Sequence, residues 1–435
     1  MLMKKVMSLC AIVLLNLAQN LMADGWQPPQ SIGMTNAPAP AMACDADGNC
    51  MAVWSYSDGV HACIQAAKKP FGGEWSTPVS ISSNDQQANS PKLVIDKHGN
   101  ATAVWKLTYG TEWNDPSLIQ AATLAKGSDD WIHIGGPLPF LNVVYNSPKL
   151  AVDGEGNVMT LWLSDEGVQG ARLFPGWSTW FALSAFGKDE VDLDAPDFAL
   201  DSSGNAVMVF ESRHENGWIV IKSTTLAHNC LGPWSDPVQL SRADHWSSTP
   251  TIKADAQGNA VAVWLYQNPG VYIEAATYRE QKWTPTPLPK NESTYSSLAV
   301  TPAGKAYLLW YDFQSSDFAV MCSTLDREST DWSKTVQLSP VGEKMDCCGS
   351  LAVDSSGNAV AFWPNKSLGL LQAVSLPNQS KTWSKPVNVG PYDLKQYDEL
   401  YPRIALASND SGVIIYSLSN QVQVVSETKL FGATN

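Results

Sequence analysis

The stretch VDSSGNAVAFW, from Val353 to Trp363, has close copies in IDKHGNATAVW at Ile95–Trp105 and ADAQGNAVAVW at Ala254–Trp264. Each copy places Asp three residues before Gly, then Asn, and then an apolar run that ends in an aromatic residue. Asp can accept hydrogen bonds from the backbone ahead of it, and Gly or Asn can adopt positive φ. The motif therefore predicts a hairpin turn between two strands, and its recurrence indicates a repeat architecture.

The closing aromatic residue recurs eight times at a spacing of about fifty residues, at Trp54, Trp105, Trp162, Phe210, Trp264, Trp310, Trp363 and Tyr416. Six copies have the Asp and the Gly, as in Asp45 and Gly48; the sixth unit has Thr301 and Gly304, and the eighth has lost the pattern. A calcium loop is the alternative interpretation, but DKHGN offers too few oxygen ligands. We expect a structural turn and no metal.

Each unit is interpreted as four short strands, A to D. Examples are Ser147–Asp153 for A, Asn259–Trp264 for B, Leu118–Thr123 for C and Trp75–Ser82 for D. Strand B is apolar at consecutive positions, so both faces of its sheet must be covered. Sheets packed face to face around an axis achieve this, which predicts an all-β fold, an eight-bladed β-propeller of four-stranded antiparallel blades.

The chain ends predict how the ring closes. A lone D-type strand, Trp26–Ile32, precedes the first unit, and no strand D follows Gln421–Glu427. Pairing the two would complete the last blade and remove an exposed sheet edge. We expect one domain over 24–435, with blades at approximately 40–82, 91–140, 148–186, 196–241, 250–290, 296–340, 349–390, and 402–427 completed by 26–32.

The N-terminal sequence indicates where the protein is located, and the net charge limits the classes of partner. Lys4 and Lys5, the apolar run 6–18 and Leu21-Met22-Ala23 predict a signal peptide over 1–23, hence a secreted protein, periplasmic or extracellular. No later apolar run is long enough for a membrane helix. The net charge of −14 makes nucleic acid an unsuitable partner. We expect a monomer without a cofactor.

Eight cysteines are present, of which Cys10 belongs to the signal peptide. Cys44 and Cys50 flank the turn DADGN and are candidates for a disulfide in an exported chain; the alternative is two buried apolar side chains. No pairing is predicted for Cys63, Cys230, Cys322, Cys347 and Cys348. Their spacing does not match a zinc site.

The repeats D-x-x-G-N-A-x-A-V-W, I-x-A-A and W-S-x-P resemble those of exported bacterial β-propeller proteins, some of them described as sialidase-like. FGGEW at Phe71–Trp75 is similar to a sialidase Asp-box without its Ser and Asp. The A–B turn is similar to that of NHL repeats. The resemblance implies a scaffold or recognition role toward protein or polysaccharide.

A sialidase would need three arginines on the substrate carboxylate, and the six arginines of this chain show no such arrangement. No serine-hydrolase, zinc-protease or phosphate-loop motif is present. We therefore expect no catalytic residues and a non-catalytic protein that recognises a glycan or a protein partner. A glycosidase using two carboxylates remains the alternative, because their separation in space cannot be derived from sequence.

Subtracting the tryptophans of the repeat locates a candidate site. Of 18 tryptophans, six end strand B and nine mark strand D, counting both Trp177 and Trp180. Trp113, Trp218 and Trp246 remain, all in B–C or D–A connections, so we predict every tryptophan outside the scaffold on one face of the propeller.

The densest group lies where blade four meets blade five. Its candidate ligand-binding residues are Trp218, Trp246, His214, His245, Arg213, Arg242 and Asp244, with Trp113 elsewhere on the same face. Aromatic faces beside hydrogen-bonding groups suit a sugar ring or an extended peptide. The alternative is that the tryptophans only anchor long loops.

Overall fold

A computed structural model describes residues 26–35, 40–83, 87–110, 115–134, 144–187, 191, 196–228, 230–288, 292–314, 317–345, 349–392, 403–407, 411–418, 420–427 and 430–431. Within these ranges the regular structure is entirely β-strand. The predicted signal peptide, Trp113, Cys347 and Cys348 lie outside the described residues.

The strands form eight antiparallel blades of four strands, which confirms the predicted fold class. Blades one to four comprise β2 (Ala41–Cys44), β3 (Cys50–Ser57), β4 (Ala62–Lys69) and β5 (Val79–Ser80); β6 (Gln87–Ile95), β7 (Ala101–Thr108), β8 (Ser117–Leu124) and β9 (Ile132–Ile134); β10 (Lys149–Val152), β11 (Val158–Ser164), β12 (Gly167–Leu173) and β13 (Phe181–Ala182); and β14 (Asp197–Leu200), β15 (Ala206–Arg213), β16 (Ile219–Leu226) and β17 (Val238–Gln239).

Blades five to eight continue the same order. They comprise β18 (Trp246–Ala254), β19 (Ala260–Gln267), β20 (Val271–Arg279) and β21 (Lys282–Pro285); β22 (Ser293–Val300), β23 (Ala306–Gln314), β24 (Asp317–Leu325) and β25 (Val336–Gln337); β26 (Ser350–Val353), β27 (Ala359–Asn365), β28 (Leu370–Leu376) and β29 (Val387–Pro391); and β30 (Arg403–Leu406), β31 (Gly412–Leu418), β32 (Gln421–Glu427) and the N-terminal β1 (Gln30–Met34).

The N-terminal strand completes the last blade. β1 pairs antiparallel with β32, and the amide of Gln27 donates to the carbonyl of Ser426 at 2.8 Å. The paired strand begins later than the predicted Trp26, because Pro28 and Pro29 have no amide to donate to a ladder. Trp26 nevertheless packs in the core between blades seven and eight.

Eight apolar cores alternate with the eight blades around the ring. Each core combines the strands of two neighbouring blades, from the pair one and two to the pair eight and one. Trp54, Trp105 and Trp363 of strand B are fully buried. This explains why strand B is apolar on both faces, since each face contacts a different neighbour.

Two details differ from a regular array of eight separate sheets. A single parallel bridge between Ala62 and Gln87 joins blades one and two into one hydrogen-bonded sheet. The outer strand is also shorter than predicted: in blade one the regular ladder to β4 covers Val79–Ser80, with single backbone hydrogen bonds from the amides of Ser76 and Ile81 on either side. Trp75 packs inward against the core shared with blade eight.

The repeated motif is a structural turn, as blade four illustrates. Asp201 accepts from the Asn205 amide through Oδ1 at 2.8 Å and from Asn205 Nδ2 through Oδ2 at 2.7 Å. Asn205 Oδ1 then accepts from the amide of His228 in the C–D turn at 2.8 Å. Gly204 has a φ of 86°, the positive value that the turn requires. The motif residues therefore tie two turns of one blade together.

The cysteines contribute to the first turn and to the cores. Cys44 and Cys50 are joined by a disulfide across the A–B turn of blade one. Cys63 and Cys322 are buried free thiols, and burial raises the pKa of Cys322 to about 12. Cys230 is an exposed free thiol in the C–D turn of blade four.

Candidate functional site

The antiparallel strand order gives the propeller two different ends. The B–C and D–A connections lie together at one end, here called the loop face. The A–B and C–D turns lie at the other end, here called the turn face. The candidate residues that the structure describes, apart from the two cysteines, belong to the loop face.

Trp218 closes the B–C loop of blade four. The amide of His214 donates to the carbonyl of Trp218 at 2.8 Å, and the Trp218 amide donates to Asn216 Oδ1 at 3.2 Å. These bonds hold the loop as a tight hairpin, and Trp218 is 42% exposed. Trp218 is thus held by its backbone while its side chain faces solvent.

Trp246 begins strand A of blade five and is 41% exposed. Asn216 Nδ2 donates to the carbonyl of Ala243 at 2.6 Å, which joins the Trp218 loop to the connection that leads into Trp246. We refer to these two loops as the Trp218–Trp246 surface. Sequence reasoning missed Asn216, although the Asn-Gly pair at a loop tip is a turn signal that indicates where it lies.

His245 differs from the other candidates because it is only 7% exposed. Its ring stacks on Tyr266 with a centroid distance of 5.6 Å, and Tyr266 stacks on Tyr272 at 5.3 Å. Asn268 Nδ2 lies 3.1 Å from His245 Nδ1. His245 therefore supports the base of the loop, and this column of rings was not evident from the sequence.

Arg242 lies over the face of the same column. Its guanidinium is 5.9 Å from the Tyr266 ring centroid, and its Nη2 is 3.0 Å from Glu274 Oε1. The hydrogen bond to Glu274 raises the pKa of Arg242. Glu274 Oε2 also accepts from Trp264 Nε1 at 3.0 Å, so a strand B tryptophan of the scaffold helps to orient the arginine.

The remaining candidates line the same two loops. Arg213 ends strand B of blade four and is exposed, His214 is half-buried, and Asp244 is exposed with Oδ1 at 3.2 Å from His245 Nε2. The structure thus brings seven of the eight candidate residues to one pair of loops. Trp113 belongs to residues that the structure does not describe.

The sequence analysis counts both Trp177 and Trp180 as markers of strand D, and the structure corrects this for Trp177. Trp180, at 6% exposed, occupies the strand D core position of blade three, whereas Trp177 is 60% exposed. Trp177 belongs to the C–D turn and lies on the turn face, in edge contact with Phe181. Both tryptophans fit the sequence marker for strand D, and only packing distinguishes them.

The inner strands A define the axial channel, and their register is the same in all blades. Each inner strand contacts the inner strands of both neighbours, including β2 with β30. In every blade, one strand A residue pairs with the residue just before the strand B aromatic. These eight residues lie at the same level along the channel axis. We call this set the inner ring: Ala41, Lys92, Lys149, Asp197, Thr251, Ser297, Ser350 and Arg403.

The inner ring is cationic. Asp197 Oδ1 is 3.5 Å from Lys149 Nζ, and its Oδ2 is 3.9 Å from the Nζ of Lys253, two residues beyond the ring level. Burial opposes ionisation of Asp197, but the two ammonium groups outweigh it and the pKa is lowered. The side chains of Lys92 and Arg403 have no hydrogen-bond or ion-pair partner among the described residues.

The arginines are spread over the molecule and do not form a cluster. Arg172 Nη2 donates to the carbonyl of Gly204 at 3.0 Å, Arg279 Nη2 donates to the carbonyl of Ser329 at 2.9 Å, and Arg327 Nε is 3.5 Å from Asp255 Oδ2. These three tie neighbouring blades at the turn face. Arg213 and Arg242 are on the loop face, and Arg403 is in the inner ring.

Comparison with known proteins supports the fold alone. No family model and no curated protein matches this chain. The BP39L lectin from Burkholderia pseudomallei is similar in structure, with a TM-score of 0.53, 12% identity, and coverage of 82% of this chain and 100% of the lectin. An ulvan lyase of polysaccharide lyase family PL25, solved with -[GlcA(1-4)Rha3S]-, has a TM-score of 0.50, 10% identity, and coverage of 93% and 96%.

The described residues contain neither a membrane-spanning helix nor a metal-binding cluster of side chains. No helix in these ranges is long and apolar enough to cross a membrane. Nor does any group of three or more His, Cys, Asp or Glu side chains there form an arrangement that would hold a metal ion.

Proposed function

We propose that this protein is an exported, monomeric, non-catalytic propeller that recognises a glycan through the Trp218–Trp246 surface. The observation that carries the proposal is the exposure of two indoles that the blade scaffold does not require, 42% for Trp218 and 41% for Trp246. Exposed apolar patches rimmed by polar residues commonly mark interaction sites.

The chemistry of the surface suits a sugar. Indole faces stack against the apolar face of a pyranose, while Arg213 and Asp244 place charged groups beside them. The loops that carry the indoles are held by the Asn216 to Ala243 hydrogen bond, so the surface is organised before a ligand arrives. The lectin and the ulvan lyase of the same fold act on glycans, which is consistent with this ligand class.

The inner ring favours binding over glycoside hydrolysis. A hydrolase of the usual kind needs two carboxyl groups about 5–10 Å apart across the substrate. At the inner ring level Asp197 is the one carboxylate, and it contacts two lysines. The level two residues further along consists of alanines at six of eight positions, with Val94 and Lys253 at the others.

The proposal is tested by substituting Trp218 and Trp246 separately with alanine. The wild-type protein is first applied to an array of neutral and acidic oligosaccharides, and the best-bound glycan is titrated calorimetrically against each variant. We expect affinity to fall about tenfold or more, which corresponds to about 1.4 kcal/mol, with little change in the unfolding temperature. Trp177→Ala, an exposed indole on the turn face, is the matched control and should retain affinity.

Two outcomes would contradict the proposal. If both variants keep their affinity while their unfolding temperature falls, the indoles only anchor the loops. If purified protein turns over any member of a fluorogenic glycoside panel and mutation of one carboxylate abolishes that turnover, the protein is a hydrolase.

A further inference from the structure

The inner ring has an excess of positive charge in an acidic protein. The chain has a net charge of −14, yet the ring level contains Lys92, Lys149 and Arg403 against Asp197, with Lys253 adjacent. Asp197 is already in contact with Lys149 and Lys253, and its Oδ2 accepts from the amide of Ile252 at 3.0 Å. Little of its negative charge is left to balance the other cations.

Lys92 and Arg403 stand on either side of the smallest ring residue. Lys92 belongs to blade two and Arg403 to blade eight, and the ring position of blade one between them is Ala41. The alanine side chain is a single methyl group, so the ring position between the two cations contributes neither a charge nor a hydrogen-bonding group. Among the described residues neither cation contacts a carboxylate.

The proximity of these cations already affects Lys92. Burial lowers its pKa to about 8, and repulsion by Arg403 and Lys149 contributes to the decrease. A buried ammonium group without a counter-ion is costly, whereas the same group beside an anion is stabilised. Among the described residues, the sector therefore has the electrostatics of an anion site.

We propose that the Lys92–Arg403 sector of the inner ring binds an anionic group of an acidic sugar, either a carboxylate or a sulfate ester. The inference that the anion belongs to a sugar rests on the proposed glycan function, whereas the inference that this sector binds an anion does not. Arg403 can bind two oxygens side by side, and Lys92 adds a point charge. Both groups recognise an oxyanion. For a neutral sugar ring they have no advantage over hydroxyl side chains.

The experiment uses the mature protein and four probes. Oligogalacturonate provides carboxylates, oligosaccharides of κ-carrageenan provide sulfates, dextran oligosaccharides are neutral, and sodium sulfate tests the anion alone against sodium chloride at equal ionic strength. Affinities are measured by calorimetry and the response to sulfate by thermal shift. The variants are Lys92→Met and Arg403→Gln. Lys385→Met removes an exposed lysine near the outer strand of blade seven and is the charge-matched control.

We expect at least one acidic oligosaccharide to bind about tenfold or more weakly to Lys92→Met and to Arg403→Gln, with Lys385→Met unchanged. Dextran should not respond to the ring substitutions. Stronger binding of oligogalacturonate than of carrageenan identifies a carboxylate, and the reverse identifies a sulfate.

Failure of this inference is distinguishable from failure of the proposed function. If acidic oligosaccharides bind wild type and ring variants equally while Trp218→Ala weakens them, the inference is overturned and the glycan surface stands. If sodium sulfate raises the unfolding temperature of the wild type but not of the ring variants, and no oligosaccharide binds, the inference that a sugar carries the anion is overturned. If no probe gives a ring-dependent response, the anion site itself is overturned.

Discussion

Replacement of Lys92 by methionine should make the protein more stable at neutral pH. Lys92 has a folded-state pKa of about 8, against an ordinary value of 10.5. Such a depression means that folding disfavours the charged form, which predominates at pH 7. Methionine has a similar length and no charge, so the variant keeps the packing and loses the electrostatic cost.

The magnitude follows from the difference between the two pKa values. Each unit corresponds to about 1.4 kcal/mol, so a difference of roughly 2.5 units sets an upper limit of about 3.4 kcal/mol. Lys92 is half-buried and retains some hydration, which reduces the effect. We therefore expect Lys92→Met to raise the free energy of unfolding by about 1–3 kcal/mol at pH 7.

The pH dependence of this gain has a definite sign. Below pH 8 both the folded and the unfolded lysine are protonated, and the cost is fully present. Between pH 8 and 10.5 the folded protein loses its proton before the unfolded chain does, so the cost fades. The stability difference between variant and wild type should therefore shrink from pH 7 to pH 10.

Urea unfolding followed by tryptophan fluorescence at pH 7 and pH 10 measures both quantities. The remaining charged groups of the ring, Lys149, Arg403, Asp197 and the adjacent Lys253, are common to both proteins and largely cancel in the difference. Lys385→Met should show no gain at either pH. A variant no more stable than wild type at pH 7, or a gain that stays constant up to pH 10, would refute the assignment of Lys92 as a destabilising charge.

Two substitutions test the architecture. Ile32→Ala, at a 6% exposed position in the core between blades eight and one, should cost about 2–4 kcal/mol of unfolding free energy, whereas Val79→Ala on an outer strand should cost little; equal losses would mean that β1 does not close the ring. Gly204→Ala would place a Cβ 2.5 Å from Asp153 Oδ2 of the preceding blade, whereas Gly72, also at positive φ, has open space. Gly204→Ala should therefore lower the unfolding temperature clearly more than Gly72→Ala, which reports the backbone strain of about 1 kcal/mol alone; similar decreases would argue against the inter-blade contact.

The fold was predictable because one unit recurs eight times and six of the copies keep the Asp and Gly of its turn. The turn Asp, Gly and Asn, the apolar strand B and the lone strands at the two ends each have a local physical reason that sequence alone exposes. The short outer strands were less predictable. Trp75 and Pro78 satisfy the pattern of strand D, but the tryptophan packs inward and proline donates no hydrogen bond, so the regular ladder is confined to Val79–Ser80.

The candidate site was predictable only in part, because its residues are defined by contacts between blades. The loops with Trp218 and Trp246 follow from their position in the repeat. The burial of His245 does not, since it depends on Tyr266 and Tyr272 of the neighbouring hairpin. Trp177 and Trp180 both fit the marker of strand D, and the sequence offers no basis for choosing between them.

The inner ring shows why total charge is a poor guide to the ligand of this protein. Six of the 42 acidic residues are the Asp of the repeated turns, whose oxygens accept hydrogen bonds from the adjoining Asn, as Asp153 Oδ2 accepts from Asn157 Nδ2 at 2.7 Å. These aspartates lie on the turn face, away from the loop-face surface, and they serve the scaffold. The ring position of each blade is outside the turn motif and varies freely among alanine, serine, threonine, lysine, arginine and aspartate. In a fold whose blades all place one residue at the same level, the charge that a ligand meets on the axis is set by those eight positions, and here they are cationic although the protein is acidic.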